Sequence, residues 1–504
     1  MILIYLVIKN FLDIGRKRIS NYKRILDSVH GYINVPKEYC DKIIDTVYFQ
    51  RLRRIEQTSG RSLFPSARHD RFIHSLGVFN LGQKIVESIK RRYPNGFTDH
   101  DQQVYDSYVI ACLLHDVCHS PFSHTFENYY ALGNDLRGLL TAALNDEGFT
   151  DDWEVSFSNA APHEIMSALL VVKEFRSWIE TEVHADIKLI VRMIIGCKYM
   201  TNKKHKSFEN AFIDLIHGDI IDADGLDYAC RDAWASGYCT SKIDVDRLID
   251  SISIEKDEEG QFLICYTAKA LNEIEAVLNV KSFQQTNVIT HHTVVYEQYL
   301  LVKAMESAAL FHIDGKENVE DANERTSALK KLCNFDSFEH PIQLQNSKVN
   351  LVYPMDDDFV SLMKYIPNDK YVKQWLSRQY NLKPLWKSKA EFFHLFPMLI
   401  DKKYTDKNWL FSDACQKYIS EEFGIASSSI WIIPATSKYK GNLASKVHLY
   451  VNGKIHLYTD LFKGDKNSFI PNQLPFSYIY VPKDYDVSAI VAKLDEKIKS
   501  FIFS

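Results

Sequence analysis

Residues 108–127 read YVIACLLHDVCHSPFSHTFE, an apolar run that ends abruptly at His115 and Asp116. The run predicts a buried helix, so the two polar residues stand at or near its end. An imidazole nitrogen beside a carboxylate oxygen suits a divalent metal ion such as Mn, Fe, Zn or Mg. Neighbouring side chains on a helix point about 100° apart, so the pair needs further ligands from elsewhere in the chain.

Two other segments offer such ligands. RFIHSLGV at 71–78 places His74 at the start of a predicted helix. HGDIIDADGLDYACRD at 217–232 offers three carboxylates, Asp222, Asp224 and Asp227, and we expect Asp224 in the middle of an otherwise apolar helix. Charges on a buried helix face are rare unless they are paired or bind a metal.

Two more histidines follow the first pair closely. His119 stands four residues after His115, a spacing that puts both on one helix face. Pro121 then turns the chain, so we expect His124 to point back towards them. The segment therefore predicts a group of polar side chains around one point.

Length and periodicity predict the organisation of the chain. The 504 residues allow several domains or one large unit with attachments. Helical periodicity prevails over 28–250, a hairpin pattern follows at 251–265, and short alternating runs around Asn452-Gly453 mark the last 80 residues. We expect a mainly α fold, with a helical body, a short β-hairpin and a small C-terminal α+β module. The predicted boundaries are an N-terminal segment at 1–27, the body at 28–420 and the module at 421–504.

Composition excludes several classes of protein. Hydrophobic residues make up 46% of the chain, which excludes a disordered protein. Sixty basic against 65 acidic residues give a net charge of −5, so we expect no nucleic-acid partner. Nine cysteines without a CxxC pair favour a reducing cytoplasm. The apolar start, MILIYLVI, is too short to span a membrane, and we expect a strand or packing segment and no membrane partner.

Four motifs together resemble the HD-domain superfamily. They are RFIHSLGV, HDVCHSPFSHTFE, the PHE of 162–164 and DADGLDYACRD. Within that superfamily the chain is most similar to the dNTP triphosphohydrolases related to the vertebrate SAM-and-HD-domain enzyme and the bacterial dGTPases. The resemblance starts at His30, includes IIDTVYFQRLRRIEQ at 43–57 and extends to about Phe393. It implies hydrolysis of dNTPs to deoxynucleoside and triphosphate by a homo-oligomer.

The resemblance also implies roles for individual residues. The metal ligands would be His74, His115, Asp116 and Asp224, which hold one divalent ion (Mn, Fe, Mg or Zn), and a second Mg²⁺ would accompany the nucleotide. His119 and His124 would line the phosphate path. His163 would transfer a proton together with Glu127, which stands where the family usually has Asp. The residues agree with this reading, since a metal can activate water and a nearby imidazolium can protonate a leaving oxygen.

A second set of residues would bind the nucleotide. By the resemblance, Gln57 and Asp232 hold the deoxyribose 3′-hydroxyl, and Tyr228 packs on the sugar. Arg71 would reach a phosphate, which suits its forked guanidinium. Tyr296 would close on the 2′ side of the sugar.

Three residues match a regulatory pattern in some relatives. Asp45, Gln50 and Arg53 stand where those relatives bind a guanine nucleotide between subunits. Asp and Arg can read the donor and acceptor edge of guanine. The alternative is an intramolecular salt-bridge cluster at a helix interface.

The chain departs from the family where polyphosphate is bound. The family usually has Lys at position 225 and Arg near 288, with further basic residues at 293 and 294, whereas this chain has Gly225, Val288, Thr293 and Val294. The lysine-rich loop at 198–206 is a candidate replacement or a solvated surface. A nucleoside monophosphate or a cyclic nucleotide is therefore an alternative substrate. A nucleotide-sensing scaffold without turnover is a third possibility.

Overall fold

The computed structural model describes the chain in a series of ranges: 21–93, 98–131, 135–145, 148–156, 160–200, 206–218, 221–238, 243–317, 319–333, 341–345, 350–400, 409–435, 447–461 and 476–502. The apolar start predicted as a strand or packing segment lies outside these ranges. Only 21–27 of the predicted N-terminal segment is therefore described.

Helices dominate the described residues, which confirms the mainly α fold class. Those of five residues or more before position 315 are Arg71–Arg92 (α1), Asp99–Leu114 (α2), Glu127–Ala131 (α3), Leu136–Leu144 (α4), Phe149–Ser156 (α5), Pro162–Leu170 (α6), Ile187–Ile195 (α7), Ser207–Asp214 (α8), Ala223–Ser236 (α9), Val245–Asp250 (α10), Leu271–Gln284 (α11) and His292–Asp314 (α12). The later ones are Ala322–Leu332 (α13), Asp356–Lys364 (α14), Lys370–Ser377 (α15), Lys389–Leu395 (α16), Asp413–Phe423 (α17) and Val487–Ile502 (α18).

Strands form three small sheets among the described residues. They are Tyr22–Asp27 (β1), Gly31–Pro36 (β2), Ile252–Lys256 (β3), Phe262–Thr267 (β4), Leu382–Pro384 (β5), Trp431–Pro434 (β6), His448–Val451 (β7), Lys454–Leu457 (β8) and Ser477–Pro482 (β9). The strand orders are β1-β2, β3-β4-β7-β8 and β5-β9-β6. The predicted hairpin at 251–265 is present as β3 and β4.

The turn at Asn452-Gly453 joins β7 to β8, as its sequence predicts. Both residues have positive φ, 53° and 78°, which a two-residue hairpin turn of type I′ requires. This hairpin does not join the β5-β9-β6 sheet. It extends the β3-β4 sheet instead, because β7 runs parallel to β4, with Leu449 opposite Tyr266.

The buried hydrophobic residues form two cores. The first runs from Ile33 to Val372 and also includes Val447, Leu449 and Tyr458. The second gathers β5, β6, β9, α17 and α18 around residues such as Trp386. Helix α12 belongs to both, since its first turns pack in the second core and its later turns in the first. The boundaries at 420 and 421 remain a prediction.

The segment at 40–57, within the stretch predicted as helical, is broken into short pieces. A π-helical turn at Cys40–Ile44 is followed by a short helix at Val47–Gln50 and a 3₁₀ turn at Arg51–Arg54. Thr46 starts the middle piece by accepting a hydrogen bond from Phe49 N at 3.4 Å. The break buries Arg51 and leaves Arg53 exposed.

Helix α1 lies at the centre of the first core and positions the residues discussed below. It begins at the N-cap Asp70, whose side chain accepts a hydrogen bond from Ile73 N at 3.0 Å. It packs against α2 and α9. Gly77 permits the close approach of α9, because a Cβ there would lie 2.0 Å from Asp227 Oδ1 and 2.5 Å from Arg231 Nη2.

None of the helices in the described part of the chain combines the length and apolarity that crossing a bilayer requires.

We expect Gly77→Ala to lower the free energy of unfolding by about 1–3 kcal/mol, because the added methyl group overpacks the contact between α1 and α9. The higher helix propensity of alanine, worth about 1 kcal/mol, offsets only part of this loss. Urea denaturation would measure the difference. Glu87→Ala, at an exposed position on the same helix, is the control and should change stability little. Equal stability of the two variants would contradict the close approach.

Candidate metal centre and adjoining histidines

Three helices bring four predicted ligands to one point. His74 lies in the first turns of α1, His115 and Asp116 directly follow α2, and Asp224 is the second residue of α9. His74 Nε2 lies 3.0 Å from Asp224 Oδ1 and 3.6 Å from Asp116 Oδ2. His115 Nε2 lies 3.8 Å from Asp224 Oδ1 and 3.5 Å from Asp116 Oδ2.

These four side chains fit a divalent cation. Both Nε2 atoms are buried and neither makes a hydrogen bond of good geometry. Two imidazole nitrogens and two carboxylate oxygens facing one another match the donors that Mn, Fe, Zn and Mg accept. Buried unpaired nitrogens are costly, so a bound cation would relieve the cost.

Asp224 was predicted in the middle of its helix, but it lies at the beginning. Asp222 is the N-cap of α9, and its side chain accepts a hydrogen bond from Gly225 N. Asp224 therefore lies in the first turn, where the helix dipole favours a negative charge. Its side chain is 39% exposed, whereas that of His74 is fully buried, so the group opens on the Asp224 side.

Asp227 lies beneath this group and holds His74 in place. His74 Nδ1 donates to Asp227 Oδ2 at 2.7 Å, and His30 Nε2 donates to Oδ1 at 2.6 Å. Arg231 adds two further hydrogen bonds to Asp227, of 2.8 and 2.9 Å, and also donates to Asp27 at 2.8 Å. The carboxylate fixes the ring so that Nε2 faces the other ligands.

Sequence reasoning identified Asp227 only in part. It was one of three candidate carboxylates, and its spacing of three from Asp224 puts both on one side of α9. Its partner His30 stands 197 residues away, and Asp27, the partner of Arg231, stands 204 residues from that arginine, so no local pattern indicated them.

Charge sets the protonation of the group. Burial lowers the pKa of His74, but the carboxylates of Asp224 and Asp227 outweigh it and raise this pKa to about 10. Burial raises the pKa of Asp116, but Arg71 and the surrounding imidazoles outweigh it and hold the pKa well below its usual range. Without a metal, His74 therefore keeps a proton that a bound cation would displace.

His119, His124, His163 and Glu127 form a second group next to the first. Glu127 accepts hydrogen bonds from His124 Nδ1 and His163 Nδ1, both at 2.7 Å. His163 Nε2 lies 3.7 Å from Asp116 Oδ1. The structure thus brings the four residues predicted to be catalytic together and next to the predicted metal ligands.

This second group differs in character from the first. Three ring nitrogens, one each from His119, His124 and His163, lie within 4.8 Å of one another. The rings of His119 and His163 are stacked, however, with centroids 4.1 Å apart and planes 29° apart. Because imidazole binds a metal in the plane of its ring, stacked rings are poorly placed to share one ion. Burial, Arg71 and the neighbouring imidazoles hold the pKa of His119 well below its usual range, so it stays neutral.

The loop that carries His124 has a strained backbone, and residues distant in the sequence hold it in place. Phe122 and Ser123 both have positive φ, 53° and 52°. Asp356 accepts hydrogen bonds from Phe122 N at 2.6 Å and Glu56 N at 2.9 Å. Arg51 donates to the carbonyl oxygens of Val117 and Pro354, which ties the residues before the loop to those before α14.

Arg71, predicted to reach a phosphate, is buried at the edge of both groups. Its Nη1 donates to Asp116 Oδ2, and its Nε donates to Ser123 Oγ at 2.8 Å. Its guanidinium therefore links the strained loop to a predicted metal ligand.

Two of the predicted sugar-binding residues, Tyr228 and Asp232, lie further along α9. Asp232 is two turns beyond Asp224 and accepts a hydrogen bond from His69 Nε2 at 2.7 Å. Gln57 N donates to His69 O at 3.1 Å, and the buried Gln57 Oε1 makes no hydrogen bond. Asp232 also lines a small surface cavity, together with Gln284 and Val288 among others. Gln284 donates to the carbonyl oxygen of Tyr228 at 3.2 Å.

Tyr296 lies in the second core. Its ring is stacked on Trp431, with centroids 5.3 Å apart, and it also contacts Tyr380 and Tyr480. Its hydroxyl donates to Gln374 Oε1 at 3.4 Å. The structure therefore groups Tyr296 with the aromatic residues of the second core, and its role at a substrate stays a prediction.

The predicted regulatory residues lie at the surface. Arg53 Nε donates to Gln50 Oε1 at 3.0 Å, and its guanidinium lies 3.5 Å above the ring of Phe72. Asp45 pairs with Lys23 at 3.6 Å. Their nucleotide-binding role likewise stays a prediction.

The lysine-rich loop contributes two described lysines that have acidic partners. Lys198 pairs with Asp214 at 2.7 Å, and Lys206 pairs with Glu209 at 2.6 Å. Lys203 and Lys204 lie outside the described residues.

Comparison with known proteins identifies a domain family and several relatives. Residues 71–203 match the family model described as HD domain. A Dictyostelium discoideum protein named deoxynucleoside triphosphate triphosphohydrolase SAMHD1 homolog is 30% identical over 314 residues, 60% of this chain and 52% of that protein. The Gallus gallus protein named deoxynucleoside triphosphate triphosphohydrolase SAMHD1 is 28% identical over 320 residues, 61% of this chain and 49% of that protein. The chain thus spans about half the length of these curated relatives.

A solved structure shares the fold. The crystal structure of a phosphohydrolase from Bacteroides thetaiotaomicron superposes with a TM-score of 0.61 at 20% identity, covering 92% of this chain and all of that one. The resemblance to the HD-domain superfamily inferred from the four motifs is confirmed.

We expect Asp227→Asn to weaken Mn²⁺ binding by about 10- to 100-fold, because the neutral amide no longer fixes the ring of His74. Isothermal titration calorimetry would measure the affinity, and far-UV circular dichroism would verify folding. Asp246→Asn, an exposed residue paired with Lys84, is the control and should bind Mn²⁺ as the wild type does. A folded Asp227→Asn variant with wild-type affinity would refute the orienting role.

Proposed function

The chain contains an HD domain at residues 71–203, and on that premise we propose that it is a metal-dependent phosphohydrolase of deoxynucleoside triphosphates. The products are deoxynucleoside and inorganic triphosphate. The observation that carries the proposal is the position of Asp116. Its Oδ2 faces His74 and His115, and its Oδ1 lies 3.7 Å from His163 Nε2. The metal-binding group and the proton-transfer pair therefore share one carboxylate.

The reaction adds one water and breaks the bond between the α-phosphorus and the 5′-oxygen of the sugar. A divalent ion held by His74, His115, Asp116 and Asp224 would supply Lewis-acid activation of the phosphoryl group. The 5′-oxygen takes up a proton as it leaves, and the triphosphate keeps the oxygen that the water provides.

His163 is suited to donate that proton. Burial lowers its pKa, but the adjacent Glu127 carboxylate outweighs this effect and raises the pKa above its usual value. The Glu127 carboxylate therefore favours the charged form of the imidazole. Because Glu127 holds Nδ1 at 2.7 Å, the proton on Nε2 points towards Asp116 and the substrate beside it.

The other residues bind and orient the substrate. His119 and His124 line the path of the phosphates, and the positive guanidinium of Arg71 meets them. Gln57 and Asp232 take the 3′-hydroxyl, Tyr228 packs on the sugar, and Tyr296 closes on its 2′ side. The names of the two curated relatives support the choice of a deoxynucleoside triphosphate.

A less charged substrate is the second candidate. Val288, where the family usually has Arg, lines the cavity that Asp232 also lines. An apolar side chain there favours a nucleoside monophosphate or a cyclic nucleotide. A scaffold that binds without turnover has less support, since binding alone does not require the buried pair of His163 and Glu127.

We further propose that the enzyme is cytoplasmic and forms a homo-oligomer. In that assembly, the exposed surface of Asp45, Gln50 and Arg53 binds a guanine nucleotide between subunits, and the substrate brings a second Mg²⁺. The predicted partners are thus nucleotides and further copies of the chain.

We expect purified protein with Mn²⁺ to release inorganic triphosphate from dNTPs. Asp224→Ala should lower the rate strongly, because one metal ligand is lost, and His163→Ala should lower it by about 10²- to 10⁴-fold. Asp246→Ala, on the exposed ion pair with Lys84, is the control. Ion chromatography would resolve triphosphate, pyrophosphate and phosphate.

The same assay separates the alternatives. Hydrolysis of nucleoside monophosphates or cyclic nucleotides without triphosphate release from dNTPs would favour the second candidate. Binding of dNTPs without hydrolysis of any of these compounds would favour the scaffold. Either result would refute the triphosphohydrolase proposal.

GTP should activate the wild type and promote its assembly, because the nucleotide would bridge subunits at Asp45 and Arg53. We expect Arg53→Ala to lose this activation. Arg54→Ala, whose side chain pairs with Asp357 at 3.1 Å instead, should keep it. Mass photometry with and without GTP would report assembly, and equal activation of both variants would contradict the regulatory surface.

A further inference from the structure

The glycine that follows Asp224 leaves a space that a lysine from another helix fills. A Cβ on Gly225 would lie 2.2 Å from Lys281 Nζ and 3.0 Å from Lys281 Cε. A larger residue at 225 would have to displace the ammonium group. Gly225 and Lys281 are therefore sterically matched, although 56 residues separate them in the sequence.

The ammonium group lies deep between two helices. Lys281 belongs to α11, which packs against α9, and it is 2% exposed. Its Nζ lies 5.1 Å from the centroid of the Tyr228 ring. A charge is costly to bury unless opposite charge is near. Asp222 Oδ1 supplies such charge, since it lies 2.7 Å from the same built Cβ position.

Lys281 also stands beside the open side of the metal-binding group. Gly225 directly follows Asp224, whose side chain is 39% exposed, whereas those of His115 and Asp116 are 10% and 3% exposed. Arg71 lies at the other carboxylate, Asp116. Arg71 thus contacts one carboxylate of the group, and Lys281 lies against the residue that follows the other.

We propose that Lys281 binds the phosphate chain of the substrate, through the space that Gly225 leaves open. This inference rests on the proposed function and deepens it, because it identifies a second cation for a polyphosphate. In the protein without substrate, the ammonium group stays near Asp222. Its flexible four-carbon stem lets it turn towards a phosphate that enters beside Asp224. The absence of a lysine at 225 is thus compensated from α11.

The competing role is purely structural, as the counter-charge of Asp222. It makes a different prediction for variants. Loss of a structural ion pair lowers thermal stability, and the neutral Asp222→Asn/Lys281→Met pair would recover it. Loss of a phosphate-binding cation raises the KM and weakens anion binding in a protein that still folds.

The test compares four variants. Lys281→Met removes the charge and keeps the length of the side chain, and Gly225→Lys/Lys281→Met moves the lysine to α9. Asp222→Asn/Lys281→Met tests the structural role. Lys84→Met, in an exposed ion pair with Asp246, is the control. The readouts are KM and kcat for dNTP hydrolysis, the affinity for inorganic tripolyphosphate by calorimetry, and the melting temperature.

We expect Lys281→Met to raise the KM and to weaken tripolyphosphate binding by about 10- to 100-fold, the value of one charge-assisted hydrogen bond. The change in kcat should be smaller, and Gly225→Lys/Lys281→Met should recover much of both losses. Unchanged KM and tripolyphosphate affinity in Lys281→Met would overturn the inference. The inference would also be overturned if Asp222→Asn/Lys281→Met recovered the KM, the tripolyphosphate affinity and the melting temperature of the wild type together.

The calorimetry keeps this inference separate from the proposed function. If the wild type hydrolyses no dNTP, the proposed function fails, and tripolyphosphate binding still decides the role of Lys281. If the wild type hydrolyses dNTPs and Lys281→Met behaves identically, only the role of Lys281 fails.

Discussion

The carboxylate of Asp227 is the feature on which the metal-binding group depends. It accepts hydrogen bonds from His30, His74 and Arg231 at 2.6–2.9 Å, and the whole set is buried. Because His74 Nδ1 is engaged there, only Nε2 faces Asp116 and Asp224. Gly77 belongs to the same constraint, since any side chain at that position would push Asp227 away from α1. The orientation of one imidazole is thus determined by the packing of two helices and by the β1–β2 connection.

Asp116 couples this group to the histidines predicted to be catalytic, and the strained loop at Phe122 and Ser123 fixes how the two groups meet. The loop is held by Asp356 from a distant helix and by Ser123, which accepts from Arg71 and donates to the carbonyl of Glu56. Two residues with positive φ cost energy, and such strain persists where surrounding contacts determine the conformation. The loop can therefore present His124 to Glu127 without a ligand to order it.

The sequence predicted the helices well where apolar periodicity was long and uninterrupted. Ile187–Ile195, within the stretch predicted as helical, is such a helix, with a capping Asp before it and a Gly after it. The predicted position of Asp224 was wrong, although the residue type of Asp222 indicates an N-cap. Contacts across long stretches of chain were beyond sequence reasoning: Asp227 with His30, Gly225 with Lys281, and β4 with β7. The residue type of Tyr296 likewise could not show that its ring packs in an aromatic core, since an aromatic side chain suits a sugar and a core equally well.

The central claim is that His74, His115, Asp116 and Asp224 hold one divalent ion beside a histidine group that holds none. Anomalous diffraction from crystals of the protein grown with Mn²⁺ tests it directly. We predict one strong anomalous peak enclosed by the two Nε2 atoms and the two carboxylates, within about 2.0–2.4 Å of each. A peak among His119, His124 and His163, or no peak at the four predicted ligands, would contradict the account.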